Sequence, residues 1–159
     1  MKKDKFNQGF SLIELLLVVA IIGIIAAIAV PNLLASKRAA NEGSAIASIR
    51  TIGSAEATYQ ATNGAGSYGD LAGLNAVGLV DSSLAGSTIP APKSGYAFTA
   101  AADATTPKYQ YLTTASTAIP GGVTASGSRN FASDASGVIT YAAPSNTAMT
   151  ANNGTPIGN

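Results

Sequence analysis

The distribution of apolar residues divides this chain into an unbroken apolar run and a patterned remainder. From Phe10 to Val30 the sequence reads FSLIELLLVVAIIGIIAAIAV, in which the one ionisable residue is Glu14. These 21 residues predict a helix of roughly 30 Å, about the thickness of the hydrocarbon core of a bilayer. A carboxylate inside such a segment costs about 2.5–3.5 kcal/mol on insertion scales. Glu14 is therefore expected to need a partner and to serve a function.

A helical period continues after Pro31. Ala45, Ile49, Ile52 and Tyr59 fall at offsets 0, 4, 7 and 14 and define one apolar face, which we expect to cover a sheet. Glu56 lies on the same side at offset 11 and is expected at the edge of this stripe. The helix is predicted to end at Asn63-Gly64-Ala65-Gly66, because Asn-Gly tolerates the left-handed turn of a helix C-terminus.

Residues 67–90 form a connector that is expected to fold against the domain, because it contains several apolar residues. Asp70 and Asp81 are predicted to cap short helical turns at Leu71–Ala76 and Ser82–Ala85. Either aspartate could be proposed as a metal ligand, but neither lies in a cluster of oxygen ligands with a calcium-loop spacing. Capping is the preferred interpretation.

Strand patterns occupy the last half of the chain. Alternation of aromatic or branched residues with small ones predicts strands at 95–100, 109–113, 129–132 and 138–141, the last two forming a hairpin. Residues 144–159 are rich in Asn, Thr, Gly and Ala, so a flexible tail is expected. The predicted fold is α+β, with one long helix against an antiparallel sheet of about four strands. The predicted segments are a leader (1–9), an apolar membrane-spanning helix (10–30), an amphipathic helix (31–62), a connecting region and sheet (63–143) and a tail (144–159).

Composition limits the chemistry that the chain could perform. It contains no cysteine and no histidine, which removes disulfides, thiolate metal sites and the usual general base. The formal net charge is +1, so no basic surface for nucleic acid is indicated. An enzyme is disfavoured, and no cofactor or metal is expected.

Three interpretations compete for residues 1–30. An ordinary secretory signal peptide would be cut near residues 27–29, yet its apolar region would be unusually long and would contain Glu14 without a reason. A plain membrane anchor, oriented by Lys2, Lys3 and Lys5, would leave the glutamate equally unexplained. In the third interpretation the cut falls between Gly9 and Phe10, and the apolar helix stays on the mature protein.

The residues G-F-S-L-I-E-L-L-L-V-V-A-I-I-G-I-I-A-A-I-A-V-P favour the third interpretation, because they resemble the N-terminus of type IV pilins and the related pseudopilins. The resemblance covers about residues 8–35. It implies that Gly9 precedes a prepilin-peptidase cut, that Phe10 becomes an N-methylated N-terminus, and that Glu14 directs subunit assembly. The α-amine of one subunit and the carboxylate of its neighbour would compensate each other's charge in a low dielectric.

Gly23 and Pro31 are helix-weakening positions. They could be incidental, since membrane helices accept both residues. Alternatively, as the resemblance implies, the stretch between them unwinds when subunits pack into a filament.

The function expected from this resemblance is a structural subunit, without enzymatic activity, that polymerises into a type IV pilus for adhesion, motility or DNA uptake. Its expected partners are copies of itself, the prepilin peptidase and methyltransferase, and an inner-membrane assembly platform. It is expected in the inner membrane first and on the cell surface after assembly. The alternatives are a pseudopilin in a periplasmic pseudopilus of a type II secretion system, and a monomeric, membrane-anchored periplasmic binding domain.

Overall fold

A computed structural model describes residues 9–102, 111–120, 122, 124–150 and 152–158. Most of the predicted leader, and Tyr109 and Gln110 of the predicted second strand, lie outside these residues. The described helices are α1 (Leu12–Thr62), α2 (Leu71–Ala76) and α3 (Ser82–Ala85). The described strands are β1 (Tyr96–Ala102), β2 (Tyr111–Thr117), β3 (Asn130–Asp134), β4 (Ile139–Ala142) and β5 (Thr155–Pro156).

The chain divides into two compact units after Ala35, and helix α1 contributes residues to both. In the first unit the helix is apolar on all sides, and its large side chains are exposed. Among the described residues, α1 is the one helix that is long and apolar enough to cross a membrane. A helix that is apolar all round requires an apolar environment outside its own chain.

The second unit has its own hydrophobic core. The predicted stripe is confirmed: Ala45, Ile49 and Ile52 are buried, and Tyr59 packs against the same core. The stripe is continued by Ala55. The rest of the buried core comes from the short helices, the connector and the sheet, namely Leu71, Leu74, Val80, Leu84, Tyr96, Phe98, Ala100, Ala115 and Phe131.

The strands form one antiparallel sheet in the order β1-β2-β3-β4-β5. Phe98 pairs with Ala115, Ala115 with Phe131, and Phe131 with Tyr141. Directly paired residues point to the same face of a sheet, so these four form a row across it. The small Ala115 lies between two phenylalanines, and all three are buried.

The expectation of four strands followed by a flexible tail needs correction. Thr155 and Pro156 form a fifth strand, paired with Tyr141 and Thr140 of β4. The N–H of Ile157 donates to the Ile139 carbonyl at 2.9 Å. Composition suggested a tail because apolar residues are sparse there, but the segment is held mainly through hydrogen bonds.

The buried Asn130 also holds this segment. Its Nδ2 donates to the Ser145 carbonyl at 2.8 Å, and its Oδ1 accepts the Thr117 N–H at 2.9 Å. The Thr117 hydroxyl also donates to the Ser145 carbonyl, at 3.1 Å. Asn130 is only 1% exposed, so losing these partners would leave a buried amide unsatisfied.

The two predicted helix caps are confirmed. Asp70 accepts the Gly73 N–H at 2.7 Å, and Asp81 accepts the Leu84 N–H at 2.7 Å. The predicted end of α1 is confirmed, since the helix ends at Thr62, immediately before the predicted segment. Within that segment the left-handed conformation falls on Ala65 (φ 50°) and Gly66 (φ 90°).

Candidate functional site

The N-terminal end of α1 carries three of the predicted site residues. Gly9, Phe10 and Ser11 precede the helix, which begins at Leu12. Phe10 is 79% exposed, and a Cβ added to Gly9 would meet nothing within 4 Å. The Gly9-Phe10 junction is therefore outside regular structure and open in the protomer. Packing within the chain does not explain why position 9 is glycine.

Glu14 lies in the first turn of α1 and is exposed. The Ser11 carbonyl accepts the Leu15 N–H at 3.2 Å, which starts the helical hydrogen-bond series. Unsatisfied N–H groups and the helix dipole make a helix N-terminus favourable for a negative charge. The Ser11-x-x-Glu14 spacing is also that of a capping box, a feature that sequence reasoning missed. The carboxylate thus occupies the position in the apolar helix where its charge costs least.

Gly23 and Pro31 lie farther along the same helix, away from its N-terminal turn. The helix continues through both positions, and Pro31 is inside it. A Cβ added to Gly23 would meet nothing within 4 Å. Space within the protomer therefore does not require glycine there. Unwinding between these two positions stays a prediction for the assembled state.

The second unit contains a polar contact that the sequence did not predict. Arg129 donates to Oε2 of Glu42 through a terminal guanidinium nitrogen at 2.7 Å and Nε at 3.1 Å, and the Ser128 N–H donates to Oε1 at 2.7 Å. Glu42 is 7% exposed. The guanidinium also lies 5.0 Å from the Tyr141 ring centroid and 5.6 Å from that of Phe131. This contact joins α1 to the start of β3.

Two neighbouring contacts hold the preceding loop to the same helix. A guanidinium nitrogen of Arg38 donates to the Gly122 carbonyl at 2.7 Å, and Nδ2 of Asn41 donates to the Ser126 carbonyl at 2.8 Å. Together with Glu42, these side chains attach one face of α1 to residues on the loop that precedes β3. The arrangement is structural, because each group is already occupied by the chain itself.

Glu56 is also buried, rather than at the edge of the stripe. It is 0% exposed, and its Oε2 accepts the Gly69 N–H at 2.9 Å. Burial raises the pKa of this carboxyl to about 7; the Gly69 hydrogen bond opposes the rise, and the Asp70 carboxylate adds to it. Sequence reasoning placed Glu56 on the correct face but could not show that the connector covers it.

A cavity of about 500 Å³ opens in the second unit between α1 and the β3–β4 hairpin. Tyr68 and Tyr111 line it, with ring centroids 4.8 Å apart. Burial raises the pKa of Tyr111 to about 12, with smaller contributions from Glu56, Tyr68 and Asp134. Its hydroxyl therefore stays protonated at neutral pH, which fits a packing role. No group of three or more potential metal ligands of the His, Cys, Asp or Glu type occurs among the described residues.

Comparison with protein families matches residues 4–30 to the prokaryotic N-terminal methylation motif. The match includes Gly9, Phe10, Glu14 and Gly23 and ends one residue before Pro31. It covers the apolar segment that has no buried residue in the protomer. From Gly9 onward the motif therefore coincides with a segment that is exposed among the residues the structure describes.

Curated relatives match part of the chain. Over 63 residues it is 40% identical to type II secretion system core protein G of Vibrio cholerae, covering 40% of this chain and 43% of that protein. Over 56 residues it is 45% identical to the type IV wide pilus major component of Thermus thermophilus, covering 35% and 43%. Over 62 residues it is 39% identical to the type IV major pilin protein of Myxococcus xanthus, covering 37% and 28%.

The matched segment spans less than half the length of each of these relatives. No solved structure matches this chain. The similarity to these three relatives therefore extends over 35–40% of the chain.

Proposed function

We propose, on the premise that the chain belongs to the family of type IV pilins and type II secretion pseudopilins, that it is a structural subunit of a type IV pilus. The observation that carries this proposal is an apolar helical segment that the described residues leave unburied and that has one carboxylate in its first turn. The function follows from what can cover that helix, first lipid and then other copies.

Processing is the first proposed step. The prepilin peptidase cuts between Gly9 and Phe10, and the same enzyme methylates the new α-amine. The exposed junction outside the helix supports access by a protease. Removal of residues 1–9 also removes Lys2, Lys3 and Lys5, which would otherwise hold the N-terminus at the cytoplasmic face of the inner membrane.

Assembly is the second proposed step, carried out at an inner-membrane platform. Each incoming subunit exchanges lipid contacts for contacts with equivalent helices, so close packing rather than water exclusion drives association. The α-amine of Phe10 in one subunit pairs with the Glu14 carboxylate of its neighbour. Each charge alone would be costly in an apolar surrounding, whereas the pair is compensated. Glu14 thereby sets the register between subunits.

The second unit then forms the outer wall of the filament. It has its own core and sheet, so it can remain folded while the first unit moves from lipid to protein contacts. A pilus subunit is preferred because two relatives are pilus components. A pseudopilin of a type II secretion system is the second candidate, supported by the similarity to core protein G.

Filament formation tests this proposal. Wild-type protein, Glu14→Gln and the control Asp70→Asn should be compared by electron microscopy and by immunoblotting of sheared surface fractions. Glu14→Gln preserves side-chain volume but removes the charge, so it should be processed normally while surface filaments fall at least about tenfold. Asp70→Asn keeps the helix cap and should assemble normally.

Each outcome separates the candidates. Long surface filaments that contain this chain support the pilus. Processed protein that forms only short periplasmic assemblies supports the pseudopilin. Wild-type protein that stays monomeric in membranes supports an anchored binding domain, and normal filaments from Glu14→Gln would refute charge pairing.

A further inference from the structure

The end of α1 holds the connector that follows it through three contacts. Oε2 of Glu56 accepts the Gly69 N–H at 2.9 Å, and Nε2 of Gln60 donates to the Gly66 carbonyl at 3.3 Å. The ring of Tyr59 lies so close to Gly69 that an added Cβ would be 3.1 Å from Cε1. Of these three side chains, Glu56 carries the carboxyl group, and it is fully buried.

The environment of Glu56 is poorly suited to a carboxylate. Its Oε1 is buried and has no hydrogen-bond partner among the described residues, and the Gly69 N–H is the donor that the structure places on this carboxyl. The Asp70 carboxylate on the connector raises the pKa of Glu56, and Glu56 in turn raises the pKa of Tyr111 on β2. A buried charge without a cation and with one donor strongly disfavours ionisation.

We propose that Glu56 is a proton-dependent tether for residues 63–70. In its neutral form it accepts the Gly69 N–H and stays enclosed between α1 and the connector. When it loses its proton, the enclosed charge is relieved by opening this connector to water. The proposal concerns the second unit and does not depend on whether the chain forms filaments.

The direction of the pH effect follows from the two states of the carboxyl. The folded pKa is about 7, above the ordinary value of 4.5. The folded form therefore binds the proton more tightly than the open form does. The bound proton stabilises the closed connector fully below the ordinary pKa, and this stabilisation is lost as pH rises through the folded pKa. Over this range the opening constant increases by up to about tenfold per pH unit.

Carboxyl NMR tests the first half of the proposal. The full chain in detergent micelles, labelled with ¹³C at glutamate, has three signals, from Glu14, Glu42 and Glu56. One of them should titrate near pH 7 and should disappear in Glu56→Gln. The proposal is overturned if the Glu56 signal titrates near its ordinary pKa.

Hydrogen exchange tests the second half. The protection factor of the Gly69 amide, corrected for intrinsic exchange, should fall by about 10- to 100-fold between pH 5 and pH 8.5. The Leu84 amide is an internal control, because it bonds to Asp81, whose pKa is about 2 through hydrogen bonds from Ser83 and Lys93. Its protection should not show this fall.

Two variants test whether the pH dependence arises from Glu56. Glu56→Gln keeps an acceptor for the Gly69 N–H but cannot ionise, so its protection should match the wild type at pH 5 and stay flat to pH 8.5. Asp70→Asn keeps the cap on α2 and removes the neighbouring charge, so the transition should move to lower pH. If Glu56→Gln does not fold, the wild type and Asp70→Asn still decide the proposal. A wild-type Gly69 profile that is flat, or an Asp70→Asn midpoint that does not move down, overturns it.

Discussion

The two parts of helix α1 have the same backbone conformation and opposite relations to the rest of the chain. From Leu12 to Val30, its large side chains are exposed, among them Leu16 and Ile22. In the second unit, its buried positions include Ile49 and Ile52, which are fully covered by the sheet and the short helices. Helical structure is therefore not what distinguishes the two parts. The difference is whether the apolar surface is buried within the chain or must be buried by lipid or another copy.

This comparison separates stability from assembly. Changes in the second unit should alter its unfolding free energy, and changes in the first should alter membrane residence and filament yield. The following variants test that separation, beginning with the largest expected effect.

Phe131→Ala should destabilise the second unit by about 3–5 kcal/mol, because it removes a fully buried ring between β2 and β4. Ile22→Ala in the first unit is the matched control, since Ile22 is exposed in the protomer. Urea unfolding of the full chain in micelles, followed by tyrosine fluorescence, measures both. Equal losses from the two variants would break the comparison.

Arg129→Ala should lower the unfolding free energy of the second unit by about 2–3 kcal/mol. The variant removes the guanidinium hydrogen bonds to the buried Glu42 carboxylate and leaves the Ser128 N–H as the remaining donor of this contact. The exposed Arg50→Ala should change stability by less than about 0.5 kcal/mol. The same unfolding assay compares them. If Arg129→Ala also stays below that limit, the contact does not stabilise the second unit.

Deletion of residues 144–159 should lower the unfolding free energy of the second unit by about 1–3 kcal/mol, because it removes β5 and the backbone carbonyl that accepts from buried Asn130. Removal of Gly158 and Asn159 alone should have little effect. Thermal unfolding by circular dichroism distinguishes the two deletions. An unchanged melting temperature after the longer deletion would restore the flexible tail suggested by composition.

Gly23→Ala should leave the unfolding free energy of the second unit unchanged within about 0.5 kcal/mol. Alanine favours the helix by about 1 kcal/mol at this position, and the protomer has space for its methyl group. If the helix loosens between Gly23 and Pro31 during assembly, filament yield should fall modestly. Normal filament yield would mean that this glycine is incidental.

Local pattern was sufficient for the features that depend on neighbours in sequence. The stripe through Ala45 and Ile52, the caps at Asp70 and Asp81 and the β3–β4 hairpin all follow from spacing and residue type. The proposed processing and assembly residues come from the resemblance, and Glu14 also stood out because it is the one charge in the apolar run.

Long-range polar contacts were not predictable in the same way. Glu42 and Arg129 are 87 residues apart, and neither position has a sequence feature that identifies the other. Asn130 holds the tail through hydrogen bonds to backbone carbonyl groups, and amino-acid composition does not reveal contacts of this kind. Glu56 was placed on the correct face by its period, but its full burial depends on the connector.

The central claim is that the exposed apolar helix is retained as the assembly segment rather than discarded. Intact mass and N-terminal sequencing of the membrane-extracted protein test it most directly. The predicted mature chain begins at Phe10 and is heavier than its sequence by one methyl group. A chain that begins near Val30 would contradict the claim, as would an uncut Met1 in cells with an active prepilin peptidase.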